Sequence, residues 1–364
     1  MYAKIDDGNM SFTRKNRLKN EEKVLESRKV QVSAGGSFFV VLPKEWSKNI
    51  GLKRGGRVNV FLEEDGSIRL VPAEAAKEYQ KAATLLVDEK TTPRSVDLFI
   101  KANYMSGCNI INIESKKRIE PELKKAIKAS ASELIGVETA EETSDKLSLR
   151  AIVDPTGFPF NSLFRRVSSL SLSMFNDSVR SLRENDFELA CDVVDRANEA
   201  MKLYRLMVRQ LMLAHSDRII AKNLGIEHTN ECITLAILAR DVSRLIYHVS
   251  NIANQVKEIL RVGITFNEKL MGLLFKIFAT TRWMVENTYK AFMERDVELA
   301  SQVMNRMKEI RDLDEEVTAG IFETVEDIHT AIRLTAILRE VRRVAGHAVA
   351  VADDTIFNET VRHH

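Results

Sequence analysis

Cysteine, proline and glycine are all scarce in this chain of 364 residues, and each scarcity excludes something. Its three cysteines, Cys108, Cys191 and Cys232, stand far apart with no paired spacing. They supply neither a disulfide framework nor a zinc ribbon, so a reducing, cytoplasmic setting is expected. Six prolines and fifteen glycines argue against collagen-like repeats, linker-dominated chains and turn-rich sandwiches. The chain has no uninterrupted apolar run long enough for a membrane helix, so it is not expected to be membrane-embedded. The opening MYAKIDDGNMSFTRKNRLKNEEK lacks the apolar core of a secretory signal. Catalytic motifs are also missing: no nucleophile-elbow serine, no HExxH, no P-loop, and no cysteine with a close histidine. No enzymatic activity and no cofactor are expected.

What is present is an ordinary globular composition, 45% apolar and 29% charged, enough to bury several cores in two or three domains. A formal net charge of +2 conceals an uneven distribution. Counting Lys and Arg against Asp and Glu, residues 1–72 sum to +5, residues 73–161 to −1 and residues 162–364 to −2. Within residues 27–61 stand seven basic side chains, Arg28, Lys29, Lys44, Lys48, Lys53, Arg54 and Arg57, against one acid, Glu45. A basic head on a near-neutral body points to an anionic partner for that end alone.

The periodicity changes three times. Residues 1–26 are polar and charged and read as a flexible basic arm, with Arg14, Lys15, Arg17 and Lys19 as its cations. Residues 27–75 carry the short β-rich runs VQV, FFVVL, VNVFL and IRLV, with one short helix, KEWSKNIGL, between the second and third. Asp65-Gly66 reads as a two-residue hairpin turn. So short a β unit buries too little to stand alone, and dimerisation is expected. Residues 76–157 alternate strand, helix, strand, helix, strand and strand, a small α/β domain. Its strand-to-helix junctions, DEKTTPRS and ESKKRIEP, contain no glycine, so a dinucleotide fingerprint is absent. Residues 158–364 are helical throughout, with six amphipathic helices predicted at about 162–183, 186–215, 228–260, 267–293, 296–323 and 327–357.

Those six helices are two copies of three, about 162–260 and 267–357. At an offset of 110 residues, RENDFELACDVVDRANE lies over MERDVELASQVMNRMKE, and Asp186 and Asp296 both fall where an N-cap opens a second helix. At an offset of 99, LAILARDVSRLIYHVSNIA lies over LTAILREVRRVAGHAVAVA, matching Arg240 with Arg339, Arg244 with Arg343 and His248 with His347. Two matches in the same order define a tandem repeat.

Two resemblances follow. SFFVVLPKEWSKNIGLKRGGRVNVFLEEDGSIRLVP resembles the AbrB/SpoVT swapped-hairpin domain of transcription regulators. The tandem triplets, with Arg-x-x-x-Arg-x-x-x-His in each third helix, are similar to the PhoU family of phosphate-signalling proteins. Their order is that of the archaeal phosphate uptake regulators. The resemblance implies a multi-domain α+β chain: a small swapped-hairpin β domain, a small α/β middle domain and an all-α body of two PhoU-like repeats. It further implies a homodimeric regulator of phosphate uptake and phosphate homeostasis that binds double-stranded DNA through Arg28, Lys29, Lys44, Lys48, Lys53, Arg54 and Arg57. The body is then expected to sense phosphate status or to bind a phosphate transporter or signalling protein. In the alternative, the body regulates a transporter directly and the head serves only to dimerise the chain. Aligned on the shared Arg and His, the places where PhoU third helices carry two carboxylates hold Ser243 and Tyr247 in the first copy, and Arg342 and Gly346 in the second. No metal site is therefore expected, and His248 and His347 are expected to be packed and hydrogen-bonded.

Overall fold

The computed structural model describes residues 2–6, 9–13, 27–62, 66–73, 81–263 and 268–362. Two strands, β1 (Tyr2–Asp6) and β2 (Asn9–Thr13), pair antiparallel at the start of the chain, within the segment expected to be a flexible arm. That expectation is corrected for these ten residues. A strand added to a sheet edge is held by backbone hydrogen bonds and needs no apolar period to announce it. The basic cluster Arg14, Lys15, Arg17 and Lys19 lies outside the described residues.

The head follows. Strands β3 (Gln31–Val32) and β4 (Phe38–Phe39) form one antiparallel pair. A short helix α1 (Lys44–Asn49) separates them from the pair β5 (Val58–Leu62) and β6 (Ile68–Pro72). Residues 31–32 and 38–39 are shorter strands than the apolar runs suggest, and Arg28 and Lys29 precede the first strand rather than open it. The second pair ends with Leu62 opposite Ile68, which leaves an odd number of connecting residues. Asp65 lies outside the described residues, so the turn expected at Asp65-Gly66 is not described. Among the described residues of the head only Pro72 is buried. Phe38 is 76% exposed and Leu62 75%, and Val32, Val41, Val60 and Ile68 are exposed with them.

The middle unit has the predicted order: β7 (Ala82–Val87), α2 (Pro93–Met105), β8 (Ile110–Ser115), α3 (Pro121–Ser132), β9 (Val137–Glu142) and β10 (Lys146–Ala151). Thr92 opens α2 with a capping box, and Pro93 and Pro121 stand at the first helical positions, where a missing N–H costs nothing. The sheet runs β2-β1-β7-β8-β10-β9, with β7 parallel to β8 and also to β1. Leu85, Ile100, Ile113, Ile127 and Leu147 form its core.

The body comprises α4 (Phe160–Glu184), α5 (Phe187–Ser216), the short α6 (Arg218–Asn223), α7 (Glu231–Val262), α8 (Glu268–Glu294), α9 (Val297–Asn305), α10 (Met307–Thr324) and α11 (Ile328–Arg362). The two triplets are thus α4, α5, α7 and α8, α9–α10, α11. One difference from the sequence reading is the break at Arg306, which divides a helix expected to be continuous. The side chain of Arg306 stacks over Trp283 at 3.9 Å. Asp186 accepts from the Leu189 N–H at 2.9 Å and Asp296 from the Leu299 N–H at 2.8 Å, so both predicted caps form. Preceding each cap is a residue in the left-handed region, Asn185 at φ 55° and Arg295 at φ 59°. The third helices α7 and α11 pack against each other along the middle of the body. Phe164, Phe175, Phe278 and Phe292 fill a single core shared by both triplets. The Tyr289 hydroxyl meets Ser171 Oγ at 2.7 Å across it.

Middle unit and body are joined through α5. Arg209, 2% exposed, donates from Nη1 to the carbonyls of Tyr104 (2.9 Å) and Cys108 (2.7 Å), its guanidinium lying over the Tyr104 ring. The neighbouring Gln210 donates to the carbonyls of Pro155 and Phe158. Arg205 reaches both the carbonyl and the carboxylate of Glu133, which also holds Lys101. Both Arg209 bonds leave one guanidinium nitrogen, so a single buried cationic side chain satisfies two carbonyls of the other unit.

Candidate nucleic-acid interface and the histidine seam

All seven basic residues singled out from the sequence are exposed. Lys44 and Lys48 lie four apart on α1, one helical turn, so both project to one side. Pro43 opens this helix, and the Ser47 hydroxyl donates back to the Pro43 carbonyl at 3.1 Å. Lys53, Arg54 and Arg57 follow in the loop to β5, where Gly51 (φ 69°) and Gly55 (φ 81°) turn the chain in a conformation that other residues resist. Lys53 and Arg57 line a small cavity of about 180 Å³ with Gly51, Gly56 and Pro72. Arg28 and Lys29 stand apart from these in chain order, at the entry to β3. The head therefore brings five of the seven cations onto one helix and its following loop. It offers them on a unit that, among the described residues, leaves Val32, Phe38, Val60, Leu62 and Ile68 exposed.

A second constellation lies between the repeats. His248 on α7 and His347 on α11 stack at 5.3 Å between ring centroids, with 18° between planes. Each takes its hydrogen-bond partner from the other repeat. His248 Nδ1 lies 2.7 Å from Glu340 Oε2, and His347 Nδ1 lies 3.0 Å from Asp241 Oδ1. Asp241 and Glu340 are themselves equivalent at the offset of 99, so the pairs are related by the pseudo-twofold symmetry of the tandem. Glu340 is nearly buried and also accepts from Asn251 and from Arg339. Burial works to raise its pKa, but those hydrogen bonds outweigh burial and hold it below the usual carboxylate value. Burial likewise drives the His248 imidazole below its ordinary value, against the pull of Glu340. A neutral His248 facing an ionised carboxylate must carry its proton on Nδ1. Beside Asp241, Asp354 is driven up to about 7, first by burial and then by Asp241 and Asp353.

The expectation that both histidines are packed and hydrogen-bonded is met. Their partners were missed because a carboxylate was sought one turn away on the same helix. The available signal was the acid pair Asp241 and Glu340, similar but not identical, directly after the matched arginines. Among the described residues no group of three or more His, Cys, Asp or Glu has an arrangement that holds a metal ion. No described helix is long and apolar enough to cross a membrane.

Two family models match separate parts of the chain. Residues 164–256 and 274–355 each match the PhoU domain model. Residues 31–78 match a model described as antidote-toxin recognition MazE, bacterial antitoxin. A curated relative is the phosphate-specific transport system accessory protein PhoU homolog 1 of Thermotoga maritima. It is 25% identical over 197 residues, covering 51% of this chain and 79% of that protein. Among solved structures, PhoU from Pseudomonas aeruginosa aligns with a TM-score of 0.48 at 18% identity, over 56% of this chain and 96% of that one. The phosphate transport system regulatory protein PhoU from Streptococcus pneumoniae aligns with a TM-score of 0.47 at 16% identity, over 56% and 94%.

Proposed function

We propose that this chain, a tandem PhoU body carrying a MazE/AbrB-like head, is a dimeric DNA-binding regulator of phosphate uptake. The PhoU body and its curated relative support a role in regulating phosphate transport. The finer reading rests on one observation: seven exposed cations ride on a head that buries only Pro72 among its described residues. Closing its exposed apolar strands against a second copy gives the head a core. That pairing also doubles the cations about a twofold axis, which suits a palindromic duplex. The body then reads phosphate status, or docks on a transporter or signalling protein.

Salt dependence of binding tests this. With three or four phosphate contacts per chain, log K against log[salt] should have a slope of roughly −5 to −7, at about −0.9 per phosphate neutralised. Replacing Lys44 and Lys48 together by Ala should flatten that slope by one to several units in the dimer, by the same rule of about −0.9 per contact. Replacing Lys257 and Lys276 in the body should leave it unchanged.

A second reading is a transport-regulating interaction protein whose head only dimerises the chain. Phe322, 72% exposed, and Ile328, 68% exposed, flank the turn between α10 and α11 and favour a protein partner there. A salt slope near zero, or one flattened equally by body and head replacements, decides for this reading.

A further inference from the structure

The two repeats share a sequence pattern but differ on one face. In the second, Arg342 on α11 reaches Asp314 on α10 at 2.7 Å and ties the two helices together at the surface. The equivalent positions in the first repeat hold Ser243 on α7 and Tyr204 on α5, at the offsets of 99 and 110. A serine and a tyrosine carry no such charges, and there α5 and α7 leave an open groove of about 320 Å³. Its α7 wall runs from Arg240 to Ser250, about 15 Å at the helical rise of about 1.5 Å per residue.

The groove is cationic along part of that wall. Arg240 and Arg244 line it one turn apart, both exposed, and among the described residues neither has an ion-pair partner. The counterpart of Arg240 in the second repeat, Arg339, is instead neutralised by Glu340 at 3.0 Å. Two adjacent guanidinium forks match the oxygens of a phosphate group. A lone tetrahedral oxyanion leaves most of a 15 Å groove empty. The remaining walls are of another kind: Tyr204 and Met201 from α5 and Tyr247 from α7 present flat, apolar surface, with Asn198 and Ser250 as hydrogen-bonding groups. Its volume is at the lower end of small-molecule sites, which span roughly 300–1,000 Å³.

We propose that this groove binds a phosphate-bearing small molecule of nucleotide size. The phosphate sits on Arg240 and Arg244, the ring lies against Tyr204 and Tyr247, and the sugar hydroxyls meet Asn198 and Ser250. As an input signal, the ligand rests on the regulatory reading above. The binding itself does not.

Calorimetric titration of the full chain with AMP, ADP and inorganic phosphate tests the site. AMP or ADP is expected to bind, with affinity falling at least tenfold in the Arg240→Gln/Arg244→Gln double variant and by a smaller factor in Tyr247→Ser. All three replacements are at exposed positions, and unchanged thermal unfolding checks the fold. The proposal fails if neither nucleotide binds, or if the double variant binds them as the parent does. Inorganic phosphate binding through the same arginines as tightly as AMP overturns the nucleotide class. DNA affinity measured with and without AMP tests the regulatory role separately. Nucleotide binding with unchanged DNA affinity upholds the site and removes only its role as a signal.

Discussion

His248 and His347 stack face to face, 5.3 Å apart, while each donates to a carboxylate that belongs to the other's repeat. The seam between the repeats is thus held by two crossed hydrogen bonds as well as by the apolar contact of α7 with α11. Glu340 carries the heavier share, because His248, Asn251 and Arg339 all converge on it. Replacing Glu340 by Ala strands these donors at a nearly buried position and should cost about 2–3 kcal/mol. Replacing Asp241, whose pair with His347 is more open to water, should cost less. Urea denaturation of both variants gives the comparison, and a smaller loss for Glu340→Ala than for Asp241→Ala contradicts it.

Asp354 gives the seam a pH dependence of definite sign. Burial pushes its folded pKa up to about 7, above the ordinary 3.8 that it keeps in the unfolded chain. The folded state therefore holds a proton that the unfolded chain has released, and the associated stability is present at low pH and lost as pH rises through 7. Between about pH 4 and 7 this group alone should lower stability by about 1.4 kcal/mol per pH unit, and above 7, where both states have lost the proton, it adds no further slope. His248 acts in the opposite sense. With its folded pKa depressed, it costs stability as the pH falls below its ordinary value near 6.5. Asp354→Asn should remove the loss between about pH 4 and 7 and leave the opposite dependence set by His248 intact, as chemical denaturation at about pH 4.5, 6 and 7.5 will reveal.

Arg209 fastens the middle unit to the body. Arg209→Ala leaves the carbonyls of Tyr104 and Cys108 without their buried donor, at an expected cost of roughly 3 kcal/mol. Arg209→Lys should recover only part of this, because an ammonium loses the planar stacking of the guanidinium over the Tyr104 ring and is more strongly hydrated. Hydrogen exchange at α2 and β8 should rise more than at α11. Equal changes at both sites would contradict a local anchor.

Self-association of the head should depend on its exposed strands. Phe38→Asp or Leu62→Asp introduces a charge where the proposed dimer closes its core, so the subunit count by light scattering should fall. The helical content should remain, since neither side chain touches the body core. A dimer that survives both replacements removes the head from the interface.

Arg295 is a non-glycine residue in the left-handed region, where its counterpart Asn185 is better suited. Arg295→Asn should stabilise the chain by about 0.5 kcal/mol, and Arg295→Gly by up to about 1 kcal/mol. Loss of its 3.9 Å contact with Glu359 offsets little of this, because Glu359 keeps Arg362 at 3.1 Å. A melting temperature below that of the parent contradicts the expectation.

The sequence by itself determined what can be read along one segment at a time. The caps at Asp186 and Asp296, the alternating strands and helices of residues 82–151, the tandem triplets and the basic head are all local patterns. Each is set by backbone geometry, by helical or strand period, or by composition. Tertiary structure decided the rest. His248 meets Glu340 across 92 residues and His347 meets Asp241 across 106, pairings that no period within one helix encodes. The strands β1 and β2 gain their place from backbone pairing at a sheet edge, and Arg209 gains its role from two carbonyls of another unit. The groove beside Arg240 lies where α5 and α7 carry Tyr204 and Ser243 in place of the ion pair that ties α10 to α11. These features depend on which surfaces meet, and helix packing fixes that only after every local choice has been made.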